Sequence, residues 1–326
     1  MNMKAPNSKP AGPAAENVEA PAPITKDQFK IIGIDINKGE SIARPRVGYW
    51  KDAWRRLKED KIATLALIIL VVLIIMVIIG PYLDGYNYAS VDNNLVNHAP
   101  NAAHWFGTDA LGRDLFARVW QAGRVSMTIG LIGAAVATIV GCIYGGISAY
   151  FGGVVDTIMM RIVEILYSIP YLLIVILLSV VLNSRSIGTL ILALCITGWC
   201  DTARLVRGQM LQLKSQEFVL AANALGVSPW RSIARHLIPN TLSVIIVAIT
   251  FDVPGYIFAE AFLSYLGLGI KAPGTSWGAL CSAAQAVFMF YPYQMFFPAL
   301  MIALTMLCFT LLGDGLRDAL DPKLRK

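Results

Sequence analysis

The residues able to do chemistry in this 326-residue chain are few, and their spacing excludes most reactions. ATP hydrolysis of the P-loop type needs Gly-x-x-x-x-Gly-Lys-Ser/Thr, whose backbone amides and lysine cradle the phosphates. That run is absent, and a Gly-Lys dipeptide occurs nowhere. A serine nucleophile on a strand-to-helix elbow needs Gly-x-Ser-x-Gly, and Gly146-Ile-Ser-Ala-Tyr150 fails at its last position. His98 and His104 fall in one polar loop and His236 in another, on opposite sides of the membrane in the topology that follows, so they form no common metal site. Cys142, Cys195, Cys200, Cys281 and Cys308 show no paired spacing and mostly stand in apolar runs, which reads as buried free thiols. No catalytic or metal-ligating residue is assigned. Asp252 is different: it is an acid deep in an apolar run, the twelfth residue of Thr241–Ala261 and roughly 18 Å along it as a helix. A carboxylate at that depth costs about 2.5–3.5 kcal/mol on insertion scales, so it should face a water-filled path or a partner. The adjacent Pro254-Gly255 is expected to interrupt the helix locally.

What must position such a residue is a membrane bundle. Apolar residues make up 56% of the chain and charged residues 15%, against roughly 45–50% and about 25% in soluble domains. That composition excludes a disordered chain, a basic nucleic-acid-coating protein and most soluble folds. The run Ile62–Gly80, ending at Pro81, is 19 residues long and covers roughly 28 Å, close to the hydrocarbon thickness of a bilayer. It starts too far along the chain, and runs too long, for a cleavable signal core. Further runs at Val125–Tyr150, Ile165–Leu182, Ile187–Ala203, Thr241–Ala261 and Phe296–Leu312 make six expected spans, with both termini on one side. A cytoplasmic N-terminus places 22 Lys and Arg residues inside and only Arg113, Arg118, Arg124, Arg185 and Lys271 outside, as the positive-inside rule requires.

Four local features refine this layout. Residues 1–48 read as a cytoplasmic tail, disordered over 1–23, and residues 317–326 as a second tail. Residues 49–61 read as a basic amphipathic helix at the inner membrane surface. A first span with its outer loop occupies 62–124, and a core of the remaining spans occupies 125–316. Gly133, Ala137, Gly141 and Gly145 repeat every four residues, one helical face without bulk, which lets a second backbone approach closely.

The segment 213–239, on the inner side, predicts two short helices joined by a sharp turn. Ser215 is suited to cap the first, Glu217 to its first turn, and Gly226 to its left-handed stop. Ser228 is suited to cap the second, with Pro229 where a missing N–H costs nothing. A DNA-binding helix-turn-helix has a similar outline, but a module tethered to lipid on both sides could hardly enter a major groove, so nucleic acid is not an expected partner. A short helix projecting from a membrane domain suits a groove in a soluble protein.

This segment resembles the EAA loop of ABC-importer permeases, matching at Ala221, Ala222, Gly226, Ile238 and Pro239 and departing at Leu220 and His236. Gly107-Thr-Asp-Ala-Leu-Gly-Arg-Asp114 resembles the GTDxxGRD signature of the peptide/nickel subfamily. Glu260-Ala-Phe-Leu-Ser-Tyr-Leu-Gly-Leu-Gly269 with Trp277-Gly278 is similar to its EAxLSFLGLG…WG segment, as is Gly313–Pro322 to its C-terminus. The order and coverage are those of the C-type, DppC/OppC-like permease.

The resemblance implies an all-α, six-helix type I importer permease of the MetI-like fold in the bacterial cytoplasmic membrane, and a transport subunit rather than an enzyme. Its implied partners are a homologous B-type permease, two ABC ATPases that hold ATP and Mg, an extracytoplasmic binding protein and a peptide substrate, with nickel or glutathione as alternatives. Ala221, Ala222, Gly226, Val227, Ser228, Pro229, Trp230 and Pro239 would then couple to an ATPase. Asp252, Pro254 and Gly255 would line the pathway. Gly107, Asp109, Gly112, Arg113, Asp114, Glu260 and Trp277 would meet the binding protein or gate the cavity. An ion-coupled carrier is the competing class, but such proteins usually set several ionisable groups at mid-membrane, and Asp252 alone supports it thinly.

Overall fold

The computed structural model describes residues 48–321. The expected tail and disorder before Gly48, and the last five residues of the expected C-terminal tail, lie outside the described residues. Among the described residues there is no strand, only an isolated bridge between Thr108 and Asp114.

Helix α1 (Tyr49–Glu59) buries Ala53 and Leu57, one turn apart, and leaves Arg55 on the other face. It stops at Asp60, whose carboxylate caps α2 (Lys61–Ile79) by accepting from the Ile62 and Ala63 amides at 2.9 and 3.2 Å. Helix α2 is apolar all round, yet only Ala63, Ala66, Leu70, Leu73 and Val77 are buried, a stripe at helical period turned towards α11 (Tyr293–Leu320).

The central element is α3 (Leu115–Phe151), 37 residues and about 55 Å long. It begins ten residues before the apolar run suggests, because Asp114 accepts the Ala117 amide at 2.8 Å and starts the helix early. Its stripe of small residues packs on α6 (Ile187–Lys214) and α9 (Ile238–Tyr265). A Cβ on Gly133 would meet the Tyr256 ring, one on Gly141 would meet Thr202, and one on Gly145 would stand 2.4 Å from the Ala203 carbonyl.

The third expected span is not one helix. Helices α4 (Gly153–Ser168) and α5 (Tyr171–Val181) meet at an 80° bend. Pro170 sets it: a residue before proline is pushed to extended backbone, and Ile169 has φ −84° and ψ 121°. Among the described residues five helices are long and apolar enough to cross a membrane, six if the bent pair is one span.

Two short helices, α7 (Glu217–Ala224) and α8 (Pro229–Ser232), follow α6, and a wide turn at Ile233–Leu237 feeds α9. The interruption expected at Pro254-Gly255 does not occur, since α9 runs unbroken through both residues. Val253 and Ile257, flanking the proline, are pressed on α3 at Gly130, and that packing carries the helix through the lost hydrogen bond. Helix α10 (Trp277–Gln285), capped by Ser276, bridges α9 and α11.

Candidate functional site

The projecting loop is built from a small apolar base. Val219, Ile233 and Leu237 are buried with Ala149 of α3 and Val206 and Met210 of α6, which roots the loop on the two longest-contacting helices. Gly226 has φ +78°, the left-handed stop after α7, and its amide donates to the Asn223 carbonyl at 3.0 Å. The Val227 amide then donates to Ala222 at 3.2 Å, and Ser232 Oγ lies 3.4 Å from Asn223 Oδ1, closing α8 back on α7. Pro229 occupies the first helical position after Ser228. The expected side-chain caps are corrected: Ser215 Oγ instead donates to the Gln212 carbonyl, α7 starts after Gln216, and Ser228 makes no capping hydrogen bond. Gly226 and Pro229 determine the turn's shape without them.

On this base, apolar side chains point away from the protein. Leu220 is 55% exposed, Leu225 85% and Trp230 61%, while Ala222 is buried and Ala221 exposed. Pro239 starts α9 beside them. An apolar cluster on a projecting hairpin is a surface that another protein covers.

Around the bundle's middle, Asp252 of α9 meets α6, where Thr202 Oγ1 donates to its carboxylate at 3.4 Å. Gly255 is open on its outer side, with no atom within 4 Å of a Cβ position. Pro254 is buried.

At the other end of α3, the Gly107–Asp114 stretch forms a tight loop. Gly107 and Gly112 take φ +77° and +69°, and a side chain at either would strike backbone. Asp109 holds Arg113 at 2.7 Å and lies 3.3 Å from Arg118. Tyr293 and Gln294, at the start of α11, donate to the Thr108 carbonyl at 3.1 Å each and dock the loop on that helix. Asp114 is buried, and its second oxygen lies 2.8 Å from His104 Nδ1.

Glu260 and Trp277, grouped in sequence with that loop, do not reach the surface: both are 0% exposed. The Glu260 carboxylate accepts from Ser126 Oγ of α3 at 2.7 Å and from Ser264 Oγ at 2.6 Å. Ser126 Oγ in turn accepts the Trp277 amide at 3.2 Å, and the indole N–H donates to the Val119 carbonyl at 2.9 Å. The group is a polar rivet through α3, α9 and α10. Ser264 stands one turn from Glu260 and was visible as a partner in principle. Ser126, 134 residues away, carried no sequence signal. A further polar pair escaped the sequence for the same reason: Asp156 of α4 forms a two-pronged pair with Arg207 of α6, 51 residues along the chain.

Asp84, in the loop after α2, faces the Asp114 carboxyl with an oxygen that is buried and has no other partner among the described residues. Burial first, and the neighbouring Asp114 second, push its pKa from 3.8 up to about 6. A carboxyl raised in the folded state binds its proton more tightly there than when unfolded, so this group stabilises the loop at low pH. That contribution is complete below about pH 4 and is lost as pH rises through 6. We expect hydrogen exchange of residues 84–114 in the purified protein to quicken from pH 5 to pH 7, after correction for intrinsic rates. Asp84→Asn should flatten that dependence; an equal pH response in the variant would show that Asp84 is not its source.

The sequence matches two family models: one described as binding-protein-dependent transport system inner membrane component, over residues 137–326, and one described as N-terminal TM domain of oligopeptide transport permease C, over residues 48–100. It is 47% identical over 302 residues to the dipeptide transport system permease protein DppC of Bacillus subtilis, covering 92% of this chain and 94% of that one. Identity to the oligopeptide transport system permease protein OppC of the same organism is 46% over 303 residues, covering 93% and 99%. The glutathione transport system permease protein GsiD of Escherichia coli is 40% identical over 280 residues, covering 85% and 91%. Among solved structures, an inward-facing MetNI methionine ABC transporter chain superposes with a TM-score of 0.51 at 17% identity, covering 64% of this chain and 96% of that one. That likeness speaks for the fold.

Proposed function

This chain belongs to the family of binding-protein-dependent transport system inner membrane components, and from that premise we propose that it forms half of a translocation pathway for di- and oligopeptides. It is a membrane permease component of ABC import systems and not itself an enzyme. In the proposed complex it pairs with a B-type permease, two ATPase subunits bind ATP and Mg, and an extracytoplasmic binding protein delivers peptide. The peptide assignment follows the relatives' names, two of which are dipeptide and oligopeptide permeases.

The observation that supports coupling most directly is the α7–α8 hairpin. Leu220, Leu225 and Trp230 expose apolar surface at the tip of an element rooted rigidly between α6 and α9. A groove in an ATPase that covers those side chains would transmit its own closure to the two helices. ATP then shifts the spans because it binds one ATPase arrangement more tightly than the other. Leu220 replaces the acid usual in such loops, so docking here is apolar rather than through an ion pair at that position.

The Lys and Arg distribution orients the proposal: both termini and the hairpin are cytoplasmic, and the Gly107–Asp114 loop is extracytoplasmic. The binding protein would then meet the exposed Leu111 of that loop and Trp105 just before it. Glu260 and Trp277 act from inside, holding α3, α9 and α10 together as the outer ends move.

Uptake of labelled peptides of graded length, and of labelled nickel, by cells deleted for this chain tests the substrate. Loss of peptide uptake restored by the wild-type chain is expected. Loss of nickel uptake alone would move the substrate and keep the architecture.

A further inference from the structure

Helices α6 and α9 each carry an aspartate at mid-helix. Asp201 stands 14 residues after Ile187 and Asp252 14 residues after Ile238, at the middle of two 28-residue helices. Thr202 joins the two levels through its hydrogen bond to Asp252. A third polar group completes the seam. Tyr256, one turn beyond Asp252, is only 8% exposed, and its hydroxyl has no hydrogen-bond partner among the described residues. That hydroxyl lies directly over Gly198, one turn before Thr202: a Cβ on Gly198 would stand 1.9 Å from it.

The charge balance here is only half filled. Arg204 lies 3.6 Å from Asp201, but its guanidinium also stacks over the Tyr167 ring at 4.4 Å, and the Asp201 side chain stays 69% exposed. No Lys or Arg among the described residues pairs with Asp252. Two carboxylates and an unsatisfied hydroxyl at mid-helix cannot face lipid at acceptable cost. They suit a mobile cation that offers several N–H donors to oxygen acceptors arranged around it, as a primary ammonium does.

We propose that the α6–α9 seam binds the terminal ammonium group of the transported peptide, with Asp252 as counter-ion, Asp201 as second carboxylate, and the Thr202 and Tyr256 hydroxyls as neutral acceptors. The inference rests on the peptide reading and adds where, and by what chemistry, this subunit grips its substrate. Gly255, open beside Asp252, leaves the backbone free for the chain that follows the ammonium.

The test uses the assembled complex with its partner subunits in proteoliposomes and the photoreactive tripeptide alanyl-benzoylphenylalanyl-alanine, which keeps its free ammonium. Uptake of trialanine by the wild-type complex is measured first. During ATP-driven turnover, illumination should attach the probe within residues 195–204 or 251–258. Asp252→Asn should cut that labelling about tenfold, the loss of one charge-assisted hydrogen bond, and Tyr256→Phe by less. Asp252→Glu, which keeps the charge, should retain most of it, and the yield of assembled complex on size exclusion should match wild type in all three. Labelling elsewhere, or equal labelling of the Asn variant, overturns the site. Loss of assembled complex in both the Asn and Glu variants also overturns it, in favour of a structural role. Absence of trialanine uptake by the wild-type complex would instead remove the peptide reading, and this inference with it.

Discussion

Gly226→Pro is expected to abolish transport while leaving the chain inserted and the ATPase subunits hydrolysing ATP without useful work. Proline requires φ near −65°, whereas residue 226 has φ +78°. It also lacks the N–H that donates to Asn223 at 3.0 Å. The α7–α8 turn must therefore open, at a cost of about 3 kcal/mol or more, and the apolar tip at Leu225 and Trp230 loses its aim. No atom lies within 4 Å of a Cβ at this position, so the effect is purely one of backbone conformation. Gly226→Ala provides the control: it fits the space and suffers only the left-handed penalty, about 1 kcal/mol, so coupling should be partly retained. Uptake and ATP hydrolysis measured side by side in proteoliposomes decide the matter. Wild-type uptake by the proline variant would remove the hairpin from the coupling mechanism.

Gly145→Leu should prevent the bundle from assembling. The first atom of the new side chain would stand 2.4 Å from the Ala203 carbonyl oxygen and 3.1 Å from the Arg207 amide nitrogen. Both are backbone of α6 and cannot rotate away, so α3 and α6 must separate along their shared seam. Overpacking of this kind costs about 1–3 kcal/mol, and more where it strikes backbone that cannot move, a large share of a typical net stability of about 5–15 kcal/mol. The neighbouring Arg207–Asp156 pair, which ties α4 to α6, would be displaced as well. Gly208→Leu in the same helix is the comparison, because nothing lies within 4 Å of its Cβ position. The yield of monodisperse protein in detergent and its thermal midpoint should collapse for the first and hold for the second. Equal behaviour of the two would mean that the close approach of α3 and α6 contributes little to stability.

Much of this was legible in the chain because the signals are local. The small-residue period over Gly133–Gly145 announced a close helix contact, and the contact is there, although the residues that fill it, Tyr256, Thr202 and Ala203, could not be named. The left-handed turn at Gly226 and the helix start at Pro229 follow from the sequence alone, since each is dictated by its own φ preference. Local preference gives way where a neighbour outweighs it. Pro254 was expected to break α9, but packing on α3 carries the helix through it. Pro170, inside an apolar run that looked continuous, bends the third span by 80°. The Ser215 and Ser228 hydroxyls, suited by type to cap, lost the competition to other geometry.

The sequence by itself determined the solvent this protein folds in, the number of apolar segments, the hairpin between the fourth and fifth of them, and the kinship of its motifs. These depend on transfer free energy and backbone preference, which each residue carries wherever the chain goes. Tertiary structure alone decided that Glu260 meets Ser126, that Asp156 meets Arg207, that Thr202 meets Asp252 and that Tyr256 lies over Gly198. Those meetings depend on how far each helix rotates about its own axis when small residues let two backbones close. A rotation of one residue, 100° in an α-helix, would turn the same aspartates to lipid, and only the packed bundle fixes that angle.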